Sequence, residues 1–376
     1  MIFQFPNMLP AKIIQSFVGA LLHEDLTLKM RSACPKFSLM AVFLLLFQLA
    51  FAQAEFGGVE SFLKKNEKAL GKNAAVMVYK DGKVLYTKST SDYFNAKTQA
   101  PVPGASKWFT AALVMTFVDE GKIKLDDPVS KYLPVMNKYM KGYITIRQCL
   151  THTTGVENNK GINIFQKRKY DMLEEEINAF AAKEISSNAG EEFWYGNIGP
   201  NIAGRVLEVI SKKSFDRLAQ ERLFRPMKMR SSTFTDFEGR AINPSAGAQS
   251  SAADLINFMS MILNKGMYEN KRILSEASIL EMQKAQFTDK PVKYTPESTE
   301  GLHYGLGLWL HEEDAGGNGL VISGLGNYGT FPYVDTCRKY AAVIIVQKPL
   351  KDMKKDLARE FKDLVAAHMG DCQQQL

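Results

Sequence analysis

Apolar residues recur at three- and four-residue spacing from Ser106 to Glu120 and stop at Gly121, so this stretch predicts a buried helix closed by a glycine C′ position. Upstream, "GGVESFLKKNEKAL" has a helical period, and "NAAVMVYKDGKVLYTKS" reads as two strands joined in a hairpin at Asp81-Gly82. From about residue 122 to 300 the helical period dominates, in "MLEEEINAFAAKE", "GPNIAGRVLEVISKK", "FDRLAQERLF" and "SAADLINFMSMILNKG". Beyond 300 the rhythm changes to strands: "YGLGLWL", "GLVISG", "TFPYVDT" and "YAAVIIVQK". A last amphipathic helix is expected from Lys351 to Met369. Strands at both ends with helices between them predict an α+β fold, with one antiparallel sheet built from the two termini, flanking helices and an inserted, mainly helical lobe. No segment repeats at a fixed period, which argues against a solenoid. A cleft between two such lobes is the usual place for a ligand.

The first sixty residues add an address. Basic Arg31 and Lys36 precede the apolar run "FSLMAVFLLLFQLAFA", and the small residues Ala50, Ala52 and Ala54 stand at and just past its end. That order is the pattern of a secretory signal peptide over residues 30–54, cleaved after Ala52 or Ala54, which implies a periplasmic or secreted protein. An uncleaved membrane anchor is the alternative reading, but the run is short for a bilayer span, so the expectation is no membrane association beyond export. Residues 1–29 read as an upstream extension, and residues 55–376 as the folded domain. Within it, about 55–120 and 300–376 form the sheet-bearing lobe and about 121–299 the helical one.

A formal charge of +7 raises the question of an anionic partner, but acidic and basic residues alternate, as in "KKDMKKDLAREFKD". Such alternation makes a solvated helix face, so no nucleic-acid partner is expected. After signal removal Cys149, Cys337 and Cys372 remain, an odd and widely spaced set that permits a disulfide without implying one. The five histidines show no HxH or HExxH spacing, so neither a metal site nor a cofactor is implied.

Candidate chemistry centres on "VPGASKWFTAALVMTFVDEG", in which Lys107 stands in the first turn of the predicted buried helix. A serine three residues before such a lysine shares its helix face, so the amine can help deprotonate the hydroxyl while the helix N-terminus favours developing negative charge. The position three residues before Lys107 is Gly104. The segment through "KLDDPVSKYLP" nevertheless resembles the SxxK helix of serine β-lactamases and penicillin-binding proteins, nearest the class C β-lactamases and their esterase-like and peptidase-like relatives. "LTHTTG", "FWYGN", "NPSAGAQSSAADLINFMSMILNKG", "YGLGLWL" and "GNYGTFPYVD" resemble later family segments in the expected order, over about residues 58 to 367.

The resemblance implies a serine hydrolase acting on an ester, amide or β-lactam through an acyl-serine. Lys107 matches the lysine that activates the nucleophile, Tyr195 the general base and proton donor, and Asn197 the asparagine that binds substrate carbonyls. The backbone donors of the oxyanion hole would come from Gly104 and Asn327, beside Gly326 of the third motif. That motif aligns with Gly324-Leu325-Gly326, so its basic residue is missing along with the nucleophile. The combined expectation is a degenerate relative, impaired or inactive in acyl transfer, that still binds a small-molecule or peptide-like ligand in its cleft. Two alternatives stand beside it. An active hydrolase would use a substitute such as Ser106, Ser61 of "SFLK" or Ser323, or a water positioned by Lys107 and Tyr195. A non-catalytic interaction module would not use the cleft at all.

Overall fold

The computed structural model describes residues 56–157, 170–235, 242–288, 290–326, 328–350 and 354–372. The expected signal, the extension before it and Asn327 lie outside the described residues.

Strands β1 (Ala74–Lys80) and β2 (Lys83–Ser89) form the expected hairpin. Asp81 and Gly82 both have positive φ, 50° and 79°, as a two-residue type I′ turn demands. Five further strands, β3 (His303–Tyr304), β4 (Trp309–Glu313), β5 (Gly319–Ser323), β6 (Phe331–Asp335) and β7 (Tyr340–Val346), complete one seven-stranded antiparallel sheet. Its order is β2-β1-β7-β6-β5-β4-β3. The joining of the termini is the β1–β7 ladder, which runs in register from Ala74 opposite Val346 to Lys80 opposite Tyr340.

Both faces of the sheet are covered, and the period of two assigns residues to each. Ala75 and Met77 of β1 and Ala341, Val343 and Ile345 of β7 join the core that contains the central helices. Ala74, Val76, Val78, Ala342, Ile344 and Val346 point the other way, into a second core with the first and last helices. Those two helices are α1 (Gly57–Lys65) and, at the end of the fold, α9 (Lys355–Ala366).

Between them lie α2 (Pro103–Asp119), α3 (Ile146–Leu150), α4 (Leu173–Ala181), α5 (Ile198–Ser211), α6 (Phe215–Ala219), α7 (Ala252–Leu263) and α8 (Glu276–Gln283). Helix α2 is apolar all round because it is buried all round: every residue from Pro103 to Phe117 is out of solvent. It starts at Pro103, three residues before the Ser106 that the apolar period suggests, and ends before Gly121, at φ +67°, as the sequence predicts.

Three expectations need correcting. The strand expected over "YGLGLWL" is interrupted, since only His303–Tyr304 and Trp309–Glu313 pair in the sheet. Gly307, at φ +76°, turns the chain against α2, where a Cβ would lie 2.5 Å from the Lys107 carbonyl oxygen. The first helix stops at Lys65 rather than continuing through "NEKAL", and the last is confined to Lys355–Ala366 among the described residues. Cys337 and Cys372 form a disulfide, with Cα atoms 5.2 Å apart, that pins the segment after α9 to the β6–β7 turn. Cys149 is free and buried in the helical core.

Candidate active site

Three segments meet at the N-terminus of α2. The first is the helix itself, which supplies Gly104 in its opening turn and Lys107 one turn on. Lys107 is only 1% exposed, and its Nζ donates to the Ser245 carbonyl at 2.9 Å and sits 4.5 Å from the centroid of the Tyr195 ring. Burial removes the ammonium from water and brings its pKa from 10.5 to about 7. The peptide just before that carbonyl is held, because Asn201 Oδ1 accepts from the Ser245 N–H at 2.9 Å and Thr110 Oγ1 donates to the Pro244 carbonyl at 2.6 Å.

The second segment is the turn between the short strand Phe193–Trp194 and α5. Parallel pairing with Val292–Tyr294 fixes it, and the Tyr195 N–H donates to the Tyr294 carbonyl at 3.0 Å. Tyr195 is buried in an aromatic nest, its ring 4.7 Å from His152 and 5.2 Å from Trp309, and desolvation holds its hydroxyl protonated well above the usual tyrosine range. His152 supports the turn from behind. The Gly196 N–H donates to its Nδ1 at 3.4 Å, so Nε2 carries the proton and donates to the Tyr304 hydroxyl at 3.2 Å. Burial first, and the Lys107 charge second, keep this imidazole neutral. His152 is therefore a structural hydrogen-bonding residue. Asn197 occupies the N-cap position of α5 without capping it, and its Oδ1 is buried with no partner.

The third segment follows β5, where Gly324-Leu325-Gly326 runs alongside the start of α2. Trp309 Nε1 donates to the Leu325 carbonyl at 3.1 Å, and the Gly324 N–H donates to the Pro332 carbonyl at 3.1 Å, which fixes the run at both ends. The two backbones touch. A Cβ at position 104 would lie 2.3 Å from the Gly324 carbonyl oxygen and 3.0 Å from both the Gly326 nitrogen and the Leu325 carbonyl carbon. In return, a Cβ at position 324 would meet Ala105 Cα at 3.1 Å and Trp108 Cε3 at 3.2 Å. The space that a nucleophile's side chain would need is filled by backbone.

What remains between the segments is a small, partly open cavity of about 10 Å³, lined by Pro103, Gly104, Lys107, Tyr195, Tyr294, Pro296, Gly326 and Tyr328. That is room for roughly one water molecule. Of the expected site residues, Gly104, Lys107, Tyr195 and Gly326 are brought together here. Asn197 stands two residues from Tyr195 but does not line the cavity, and Asn327 lies outside the described residues. Pro103, Tyr294, Pro296 and Tyr328 were not expected. Tyr328 could have been found as the residue just after the third motif and Pro103 as the residue before Gly104, whereas "KYTPE" carries no local signal and arrives through tertiary pairing.

None of the substitute serines lines the cavity. Ser106 Oγ is fully buried, donating to the Val102 carbonyl and accepting from the Ala248 N–H. Ser61 is exposed on α1. Ser323, expected to reach the cleft edge, is buried instead with its Oγ 2.8 Å from His311 Nε2 and accepting from the Leu325 N–H at 3.3 Å. Burial pulls the His311 imidazole down to about 3, so it faces Ser323 uncharged at neutral pH.

An antiparallel sheet closed by both termini, with a buried lysine-bearing helix facing a tyrosine turn and a glycine-rich strand end, defines the β-lactamase/transpeptidase fold class. The chain matches the family model described as Beta-lactamase over residues 63–367, and it belongs to that family. A solved structure of a beta-lactamase-like protein from Bacteroides dorei DSM 17855 is 28% identical with a TM-score of 0.75, covering 84% of this chain and 99% of that one. A penicillin-binding protein homologue from Pyrococcus abyssi, an octamer, is 22% identical with a TM-score of 0.66, covering 85% and 79%. Among curated proteins, D-alanyl-D-alanine-carboxypeptidase/endopeptidase AmpH of Escherichia coli (strain K12) is 23% identical over 297 residues, 72% of this chain and 76% of AmpH. Protein flp of Staphylococcus aureus (strain MW2) is 26% identical over 171 residues, and the match spans only 34% of its length.

Proposed function

We propose that this chain is a degenerate member of the β-lactamase family, impaired or inactive in acyl transfer through a serine, that binds a peptide-like or cell-wall-derived ligand in its cleft. One observation carries the reading: at the nucleophile position there is no side chain, and the Gly324 carbonyl oxygen stands 2.3 Å from where a Cβ would begin. Lys107 and Tyr195 are in place but have no hydroxyl to activate between them. Asn197 lies off the cavity wall, two residues beyond Tyr195, and its buried, partnerless Oδ1 supports retained binding, since such an oxygen costs about 1–3 kcal/mol unless a donor reaches it. The similarity to AmpH, named for its action on D-alanyl-D-alanine peptides, suggests the ligand class. Export fits the Cys337–Cys372 disulfide, which persists in oxidising compartments.

Intact mass after exposure to a penicillin and to an activated ester tests the loss of acyl transfer, and calorimetric titration with a D-alanyl-D-alanine peptide tests the binding. The expected result is no adduct with either reagent, and peptide binding that weakens at least tenfold in Asn197→Ala. A covalent serine adduct in the wild type would overturn the reading. Turnover without an adduct, abolished in Tyr195→Phe, would replace it with hydrolysis by a water held between Lys107 and Tyr195.

A further inference from the structure

The turn between the short helix Val135–Lys138 and α3 presents apolar side chains to water. Met140 is 81% exposed, and Tyr139 and Tyr143 stand in solvent beside it. Met140 also takes φ +56°, a left-handed position in which a side chain other than Asn or Asp is uncommon and strained. The tip is held in this form by its own hydrogen bonds. The Met140 N–H donates to the Asn137 carbonyl at 3.0 Å, the Lys141 N–H to the Met136 carbonyl at 2.8 Å, and Ser130 Oγ to the Gly142 carbonyl at 2.7 Å. A strained methionine kept in water on an ordered turn gains nothing inside the molecule.

The charges around the tip do not cancel. No acidic residue stands between Asp127 and Glu157. At the base of the turn Lys131 pairs with Asp127 at 3.1 Å and Arg147 with Asp126 at 2.8 Å, but Lys138 and Lys141 make no ion pair among the described residues. Lys138 is exposed, and the Lys141 Nζ, on a buried stem, reaches the Tyr139 carbonyl at 3.5 Å. The acidic helix α4 packs on Val135–Lys138, yet its carboxylates are engaged elsewhere: Glu174 with Arg205, Glu175 with the Met172 N–H, and Glu176 with Asn201.

We propose that this tip is a peripheral membrane contact, with Met140 wedged at the acyl boundary, Tyr139 and Tyr143 at headgroup level, and Lys138 and Lys141 drawn to an anionic phospholipid surface. Tyrosine suits that level because its ring is apolar and its hydroxyl wet, and each lysine near an anionic surface adds about fivefold to the affinity. Among the described residues no helix is long and apolar enough to cross a membrane, so the contact is a surface one. A specific protein partner would need a face of about 800 Å² per side, which a single turn does not offer. The contact belongs to the folded domain, so the apolar run before residue 55 does not bear on it, and it is independent of ligand binding in the cleft.

Residues Ala52–Leu376 form one compact unit, and sedimentation of that chain with lipid vesicles tests the proposal. Partition onto phosphatidylcholine vesicles containing phosphatidylglycerol is expected to be at least about tenfold stronger than onto phosphatidylcholine alone, and to fall as salt screens the surface. Met140→Gly removes the wedge and relieves the left-handed strain, so it should leave the thermal midpoint of the fold intact while weakening partition at least about tenfold. Lys138→Glu should abolish most of the preference for the anionic vesicles. Lys64→Glu, an equal change of charge at an exposed position on α1, should leave partition within about twofold. Equal partition onto both vesicles, or none onto either, would overturn the proposal. So would Met140→Gly binding like wild type, or Lys64→Glu losing as much as Lys138→Glu, because net charge rather than the tip would then be responsible.

Discussion

Gly104→Ala isolates the steric part of the argument, since it adds one methyl group and no chemistry. The new Cβ would start 2.3 Å from the Gly324 oxygen, about 1 Å inside ordinary contact, and the obstacle is backbone rather than a flexible side chain. The strand end is fixed by hydrogen bonds at Gly324 and Leu325, so it cannot retreat locally without loosening them. Overpacking of this kind costs about 1–3 kcal/mol, and the helix-propensity gain over glycine, at most ~1 kcal/mol in a helix interior, is smaller in the first turn. A net loss of about 1–2 kcal/mol follows, read as a midpoint about 1.5–3 °C lower in a thermal melt of a domain this size. Gly104→Ser carries the same methylene and is expected to lose a similar amount without acquiring a penicillin adduct, because its hydroxyl enters a slot already occupied. The reasoning is refuted if Gly104→Ala melts at or above the wild-type temperature, or if Gly104→Ser is acylated rapidly, since either result means that the strand end yields freely.

Two further outcomes follow from buried groups and from the cross-link. Lys107 has a folded pKa near 7 against 10.5 unfolded, so between those values the unfolded chain binds more protons and stability rises with pH, by up to about 1.4 kcal/mol per unit. In urea melts from about pH 7 to 8.5, wild type should gain about 1–2 kcal/mol relative to Lys107→Met, which carries the same buried Cys149 thiol and so cancels its opposite contribution; parallel curves would show that the lysine stays charged. The Cys337–Cys372 bridge closes a 35-residue separation, and Cys372→Ser should cost about 4 kcal/mol, read as a lower urea midpoint that reductant does not lower further.

The sheet was legible because period-two patterning and the Asp81-Gly82 turn are local signals, and α2 because an all-round apolar helix advertises burial. Lys107 and Tyr195 were legible as cleft residues through the order of their motifs. The broken strand at Gly305–Leu308 was not, because its cause is the approach of Gly307 to the Lys107 carbonyl, two segments two hundred residues apart. Tyr294 and Pro296 were hidden for the same reason, since a three-residue strand pairing alongside Phe193–Trp194 leaves no trace in composition or spacing.

The glycines show what distance adds to sequence. In the chain, Gly104 and Gly324 look like two independent deletions, one of a nucleophile and one of a basic residue. In the fold they are one contact, with the Gly324 oxygen 2.3 Å from where the Cβ of residue 104 would be and Ala105 and Trp108 3.1 and 3.2 Å from where a Cβ at 324 would be. A side chain restored at either position meets the other segment's backbone or the helix it packs on, so neither loss is reversed alone. Gly104→Ser combined with Gly324→Lys would have to push the strand end and α2 apart, and Trp309, Pro332 and the aromatic nest under Tyr195 all hold that strand end or pack beside it. The bare position 104 and the bare position 324 are therefore two sides of one structural feature.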